Sequence, residues 1–194
     1  GPWAAQFLAE HTHLPQRKAL RLVKGSHIVV RKLFDHDHAY IFQNPDKRII
    51  FAIPYEQQYT LIGTTDEEVH GDPRDASVTS ADVAYLCEQA SRYFKQPVRP
   101  ESVVWRYSGV RPLLDDASGD ASAVTRDYLL EFDGGVGTAA PLLTVWGGKI
   151  TTFRKLAEDA ANLVDQMLAD QPALAECGTG HMASDRAQRQ AFRP

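Results

Sequence analysis

Tyr40-Ile41-Phe42-Gln43, then Asn44-Pro45-Asp46-Lys47, then Arg48-Ile49-Ile50-Phe51-Ala52-Ile53-Pro54-Tyr55: two runs rich in β-branched and aromatic residues flank four residues that each favour a turn. Proline presets φ, and asparagine and aspartate bond their own backbone, so the segment predicts a β-hairpin. A hairpin fixes its two strands as antiparallel. Outward from it, Tyr59-Thr60-Leu61-Ile62-Gly63-Thr64-Thr65 reads as the next strand, ahead of a polar, turn-rich stretch from Asp66 to Ser77. Upstream, Leu20 to Val30 reads as a long strand interrupted at Gly25, where a bulge is expected.

Helices punctuate this pattern rather than alternate with it. Trp3, Phe7 and Leu8 have helical spacing at the start. Thr79 or Ser80 can cap a second helix, whose stripe of Val83, Leu86, Cys87, Ala90 and Phe94 is core-facing and ends before Pro97. Ser102 to Gly109, Ala123 to Phe132 and Leu142 to Trp146 are strand-like. A closing helix from about Thr151 to Ala169 gathers Phe153, Leu156, Ala157, Ala160, Leu163, Val164 and Met167 on one face. Strands joined by short turns, without crossover helices between them, define an α+β class with a largely antiparallel, mixed sheet flanked by helices. Residues 171–194 lack periodicity and read as a flexible tail of non-native origin.

Composition narrows the function classes. A chain of 194 residues at 43% hydrophobic buries one substantial core, and a formal charge of −4 provides no basic field for nucleic acid. Cys87 and Cys177 are too differently placed for a disulfide framework, and they read as reduced thiols of a cytoplasmic protein. The histidines are too scattered for a metal site. No apolar run reaches the ~20 residues of a membrane span, which leaves peripheral attachment open.

Chemistry-bearing residues cluster in a few places. Val145-Trp146-Gly147-Gly148-Lys149-Ile150-Thr151-Thr152 carries a strand through two glycines into a helix. Unsatisfied N–H groups there suit an anion or an electron-rich ring edge, although a turn whose glycines serve geometry, with Thr151 as cap, fits equally well. It is not a P-loop, because position 143 is leucine, and Gly135 to Ala140 matches G-x-G-x-x-A but runs into a strand where a dinucleotide site needs a helix. Arg111, before Pro112 at a strand end, and Arg126 in a β-forming run form either a phosphate fork or surface salt bridges with Asp115, Asp116 or Asp127. His27 is either a general base or a satisfied strand histidine.

Taken in order, Gly1-Pro2-Trp3, Lys24-Gly25-Ser26-His27-Ile28-Val29-Val30, Ile62-Gly63-Thr64-Thr65-Asp66, Tyr107-Ser108-Gly109-Val110-Arg111-Pro112, Thr125-Arg126-Asp127-Tyr128 and Gly147 to Ala157 resemble the FAD-dependent glycerol-3-phosphate dehydrogenase family, within the D-amino-acid-oxidase-like flavoproteins. The resemblance spans about residues 1 to 170. It implies oxidation of sn-glycerol 3-phosphate to dihydroxyacetone phosphate with FAD as hydride acceptor. It also implies passage of electrons to a membrane quinone by a cytoplasmic protein peripheral to the inner membrane, and it is compatible with a homodimer. His27 becomes the base, Arg111 the alkoxide stabiliser and a substrate ligand, and Arg126 the phosphate ligand. Gly147, Gly148, Lys149, Ile150 and Thr151 become the flavin-contacting residues. The strand, glycine-rich turn and helix with which such flavoproteins begin are not in the sequence, nor is the family's C-terminal helical domain. The expectation is therefore a fragment, inactive by itself: residues 1–14 a connecting helix, 15–140 a substrate-binding domain, 141–170 a flavin-contacting strand and helix. A glycerol-3-phosphate oxidase, an amine or amino-acid oxidase, and a non-enzymatic binding module are the alternative readings.

Overall fold

The computed structural model of the chain describes residues 1–12, 18–115, 127–134 and 140–170. The fold is α+β with antiparallel sheets, in two compact units that divide between Arg126 and Asp127.

In the first unit, helix α1 (Ala4–His11) precedes a sheet built around strand β1 (Leu20–Arg31). One edge of β1 pairs with β4 (Tyr59–Gly63) and then β5 (Glu67–Glu68), and the other pairs with β6 (Val103–Leu114). β2 (Tyr40–Gln43) and β3 (Ile49–Tyr55) are the expected hairpin, with β3 paired to β4. Its turn places Lys47 at φ 67°, and the Asn44 carbonyl accepts from the Lys47 amide at 2.9 Å. Two expectations are corrected. Gly25 is not bulged: it sits in register opposite Gly109, and the register shift falls between Val29 and Val30. Strand β6 runs on through Pro112, so Arg111 lies inside a paired strand opposite Val23 and not in a loop.

Side chains alternate across β1, and the two faces have different jobs. Ile28 and Val30, with Ile50, Ala52 and Ile62, pack beneath Val83, Leu86, Cys87 and Ala90 of helix α2 (Ser80–Ser91). Ile28, Ile50, Ile62 and Leu86 are fully buried, each contributing roughly 1.5–3 kcal/mol. The helix starts where the sequence places it. Thr79 and Asp82 close a reciprocal capping box, the Asp82 amide donating to Thr79 Oγ1 at 3.1 Å and the Thr79 amide to Asp82 Oδ2 at 2.8 Å.

Asp82 does more than cap. Lys24, on the helix face of β1, brings Nζ to 2.8 Å from Asp82 Oδ2 and to 2.8 Å from Glu67 Oε2, with both Lys24 and Asp82 buried. Burial opposes the charge on Asp82, but the Lys24 and Thr79 hydrogen bonds outweigh it and hold the carboxyl at about 2, below its ordinary 3.8. Because the folded value is depressed, the stability this group supplies is present above 3.8 and is lost as pH falls toward 2. Asp82→Ala in the full gene product is expected to cost about 3–5 kcal/mol by urea unfolding, since it strands a buried ammonium and removes the cap. A loss below about 1 kcal/mol would show that Glu67 alone satisfies Lys24.

The second unit is a hairpin of β7 (Tyr128–Asp133) and β8 (Leu142–Gly147), followed by a 3₁₀ turn (Ile150–Thr152) and helix α3 (Phe153–Asp170). Trp146, 4% exposed, donates Nε1–H to Glu131 Oε2 at 2.9 Å across the ladder. Tyr128 donates its hydroxyl to Asp159 Oδ2 at 2.6 Å, which ties β7 to α3.

Candidate active site

The face of β1 away from α2 carries Val23, Gly25, His27 and Val29, and β6 sets Tyr107, Gly109 and Arg111 beside them. The His27 and Tyr107 rings stack with centroids 4.9 Å apart and planes within 4°. On the other side His27 faces Gly63 of β4. A β-carbon at Gly63 would lie 2.1 Å from His27 Cδ2 and 2.7 Å from Nε2, so only glycine admits the imidazole here. Burial, and after it the Arg111 charge, push the His27 pKa below its ordinary 6.5. The ring is therefore neutral at pH 7. Its Nδ1 is buried without a hydrogen-bond partner among the described residues.

Arg111 reaches across β1. From β6 on one edge, its guanidinium passes over Gly25 and meets the chain leaving β4 on the other edge. There Nη2 donates to the Thr65 carbonyl at 2.8 Å and Nη1 pairs with Asp66 Oδ1 at 2.8 Å. A β-carbon at Gly25 would stand 2.4 Å from Nη2, which is the physical reason for a glycine in mid-strand. Both contacts run to the β4–β5 link; Asp116, one of the acidic neighbours that the sequence offered for a salt bridge, lies outside the described residues.

Gly147 and Gly148 adopt φ of 67° and 97°, a region open to glycine at little cost. A β-carbon at Gly147 would also lie 2.8 Å from the Asp127 carbonyl. Lys149, Ile150 and Thr151 follow, all exposed, and Ile150 and Phe153 are 87% and 67% exposed. The expected Thr151 cap is corrected: Lys149 stands at the N-cap of the turn, and Thr152 bonds back to it, accepting from the Lys149 amide at 3.4 Å and donating to the Lys149 carbonyl at 2.9 Å. Arg126 and the Gly135 to Ala139 part of the glycine loop lie outside the described residues.

The structure thus brings His27 and Arg111 to one sheet face and adds Tyr107, Gly63, Thr65 and Asp66, to which the sequence reading gave no role. Tyr107 alternates with Gly109 and Arg111, so a strand drawn to Leu114 would have placed it on the same face. Asp66 had no such signal, because its partner is distant in sequence.

A neutral imidazole beside a fixed guanidinium can take a proton from a hydroxyl while the cation stabilises the oxyanion left behind, which is the equipment of enzymes that oxidise alcohols. Residues 1–154 match the family of FAD dependent oxidoreductases (DAO), and the chain belongs to that family. It is 45% identical to the glycerol-3-phosphate dehydrogenase of Pseudomonas aeruginosa over 88% of the chain and 33% of that protein. Identity is 48% to the aerobic glycerol-3-phosphate dehydrogenase of Escherichia coli, covering 82% of the chain and 32% of the relative. It is also 48% to the D-erythritol 1-phosphate dehydrogenase of Brucella abortus, covering 81% and 31%. Among solved structures, the glycerol-3-phosphate dehydrogenase from Bacillus halodurans complexed with FAD superposes with a TM-score of 0.68 at 31% identity, over 87% of this chain and 31% of that one. The chain spans about a third of the length of the curated relatives it matches.

Proposed function

We propose that the chain supplies the substrate-oxidising residues of an FAD-dependent glycerol-3-phosphate dehydrogenase, converting sn-glycerol 3-phosphate to dihydroxyacetone phosphate. The observation that carries this reading is the pairing on one face of a histidine held neutral with an arginine fixed across Gly25. His27 Nε2 takes the proton of the C2 hydroxyl. The alkoxide so formed is stabilised by Arg111, and the C2–O bond becomes a carbonyl as hydride leaves C2. Bound FAD supplies the hydride acceptor. Arg126 is assigned to the phosphate by the family motif. The resulting imidazolium returns its proton to solvent.

The second unit fits the edge of a flavin ring. Its two positive-φ glycines let a ligand approach the backbone, Ile150 and Phe153 offer apolar surface, and Lys149 with the start of α3 presents positive potential where negative charge gathers on reduction. On this reading residues 1–14 connect, 15–140 bind substrate and 141–170 contact flavin. Electrons pass on to quinone, with the protein, a homodimer in this reading, cytoplasmic and peripheral to the inner membrane. No helix among the described residues is long and apolar enough to cross a membrane, which is compatible with such attachment.

A second substrate reading has its own support. The D-erythritol 1-phosphate dehydrogenase is as similar as the E. coli glycerol-3-phosphate enzyme. Gly109, between Tyr107 and Arg111, has no atom of the described residues within 4 Å of where a β-carbon would lie, which is room for one further carbinol carbon. Anaerobic addition of each phosphate ester to the flavin-loaded full gene product separates the two. Bleaching of the flavin by sn-glycerol 3-phosphate, with reoxidation faster by a quinone analogue than by oxygen, is the expected result. Bleaching only by D-erythritol 1-phosphate transfers the assignment to the four-carbon ester. Bleaching only by an amine or amino acid removes both.

A further inference from the structure

The link that leaves β4 for β5 is fastened to β1 almost residue by residue. The Ser26 amide donates to Thr65 Oγ1 at 2.9 Å, Glu67 pairs with Lys24 at 2.8 Å, and Glu68 takes Arg21 Nε at 2.9 Å. Asp66 reaches further. Its carboxylate pairs with Arg111, which has crossed from the far edge of the sheet. Its side chain is 10% exposed and that of Arg111 27%, so the pair is partly withdrawn from water and less screened than a surface bridge. Thr65 presents its carbonyl to the second guanidinium nitrogen, so one rigid link grips Arg111 at two atoms.

We propose that Asp66 is a positioning residue of the active site: it holds the Arg111 guanidinium over Gly25 and offsets the positive charge that His27 faces. This rests on the roles given above to His27 and Arg111. The charged and titratable groups around His27 fit the assignment. Arg111 and Tyr107 come from β6, Asp66 from the β4–β5 link through Arg111, and Tyr55 of β3 acts on Tyr107. On β1 itself Arg31 lies over the Tyr59 ring at 5.4 Å, and Lys24 is turned to the other face with Asp82 and Glu67. Arg111 is the cation to which His27 responds, and Asp66 is its counter-ion.

The test uses the full gene product labelled with ¹³C-histidine, the His27 signal being identified by its loss in His27→Gln. Asp66→Asn keeps the size of the side chain and removes its charge, so the His27 titration is expected to move further below 6.5. Asp66→Glu restores it. Asp66→Ala, which frees the guanidinium, is expected to lower kcat about 10²-fold. An unchanged His27 titration in folded Asp66→Asn overturns the proposal, and if Asp66→Ala does not fold, Asp66→Asn alone decides. Full activity in His27→Gln would instead remove the functional reading, while the titration still judges the link between Asp66, Arg111 and His27.

Discussion

His27→Gln in the full gene product is expected to lower kcat/KM for sn-glycerol 3-phosphate by about 10²–10⁴-fold, the range for loss of a positioned general base. Glutamine has roughly the reach of the imidazole and faces Gly63 with less crowding, so the fold has no reason to change. The pH profile is the sharper readout. In the unaltered protein kcat/KM is expected to rise as His27 loses its proton, burial and Arg111 placing that rise below 6.5. The variant should lose this limb altogether. The sign for stability is the same: because the folded value is depressed, the unfolded chain binds the extra proton first, and stability falls as pH drops below 6.5. A variant that keeps both the limb and the rate would assign the proton to another group.

Arg111→Met is expected to lower kcat by about 10²–10³-fold, the usual cost of one missing oxyanion donor. It should also move the acid limb in the direction opposite to Asp66→Asn. Removing the cation raises the His27 titration toward 6.5. Gly25→Ala should reproduce part of the rate loss while both ionic partners are present, because its methyl group occupies the path of Nη2. Unaltered kcat in Arg111→Met, measured on soluble protein of unchanged circular dichroism, would remove the guanidinium from the chemistry.

How much of this was legible in the sequence depended on whether the cause was local. The Asn44 to Lys47 hairpin turn, the Thr79 cap and the α2 stripe obey rules confined to neighbours along the chain, and the structure has them where the residues placed them. Pro112 misled the reading, because a proline ordinarily ends pairing and here rides inside β6 opposite Leu22. Gly25 misled it differently. Its cause is a side chain arriving from position 111, which no local rule contains. The same holds for Gly63 beneath the His27 ring and for Asp66. His27 and Arg111 were singled out by residue type, but their shared face needed the β1–β6 register. The family resemblance drawn from the ordered motifs is borne out by the family match and the relatives.

Strand β1 carries Lys24 toward Asp82 on one face and His27 on the other. A slip of one residue against β4 or β6 would turn the lysine away from its carboxylates and drive the imidazole into the apolar layer under α2. Error in pairing therefore cannot spare the chemistry while damaging only the scaffold, or the reverse. On the proposed roles, turnover would double as a proofreading signal: the active fraction of a preparation would count the molecules whose central strand is threaded in the right phase.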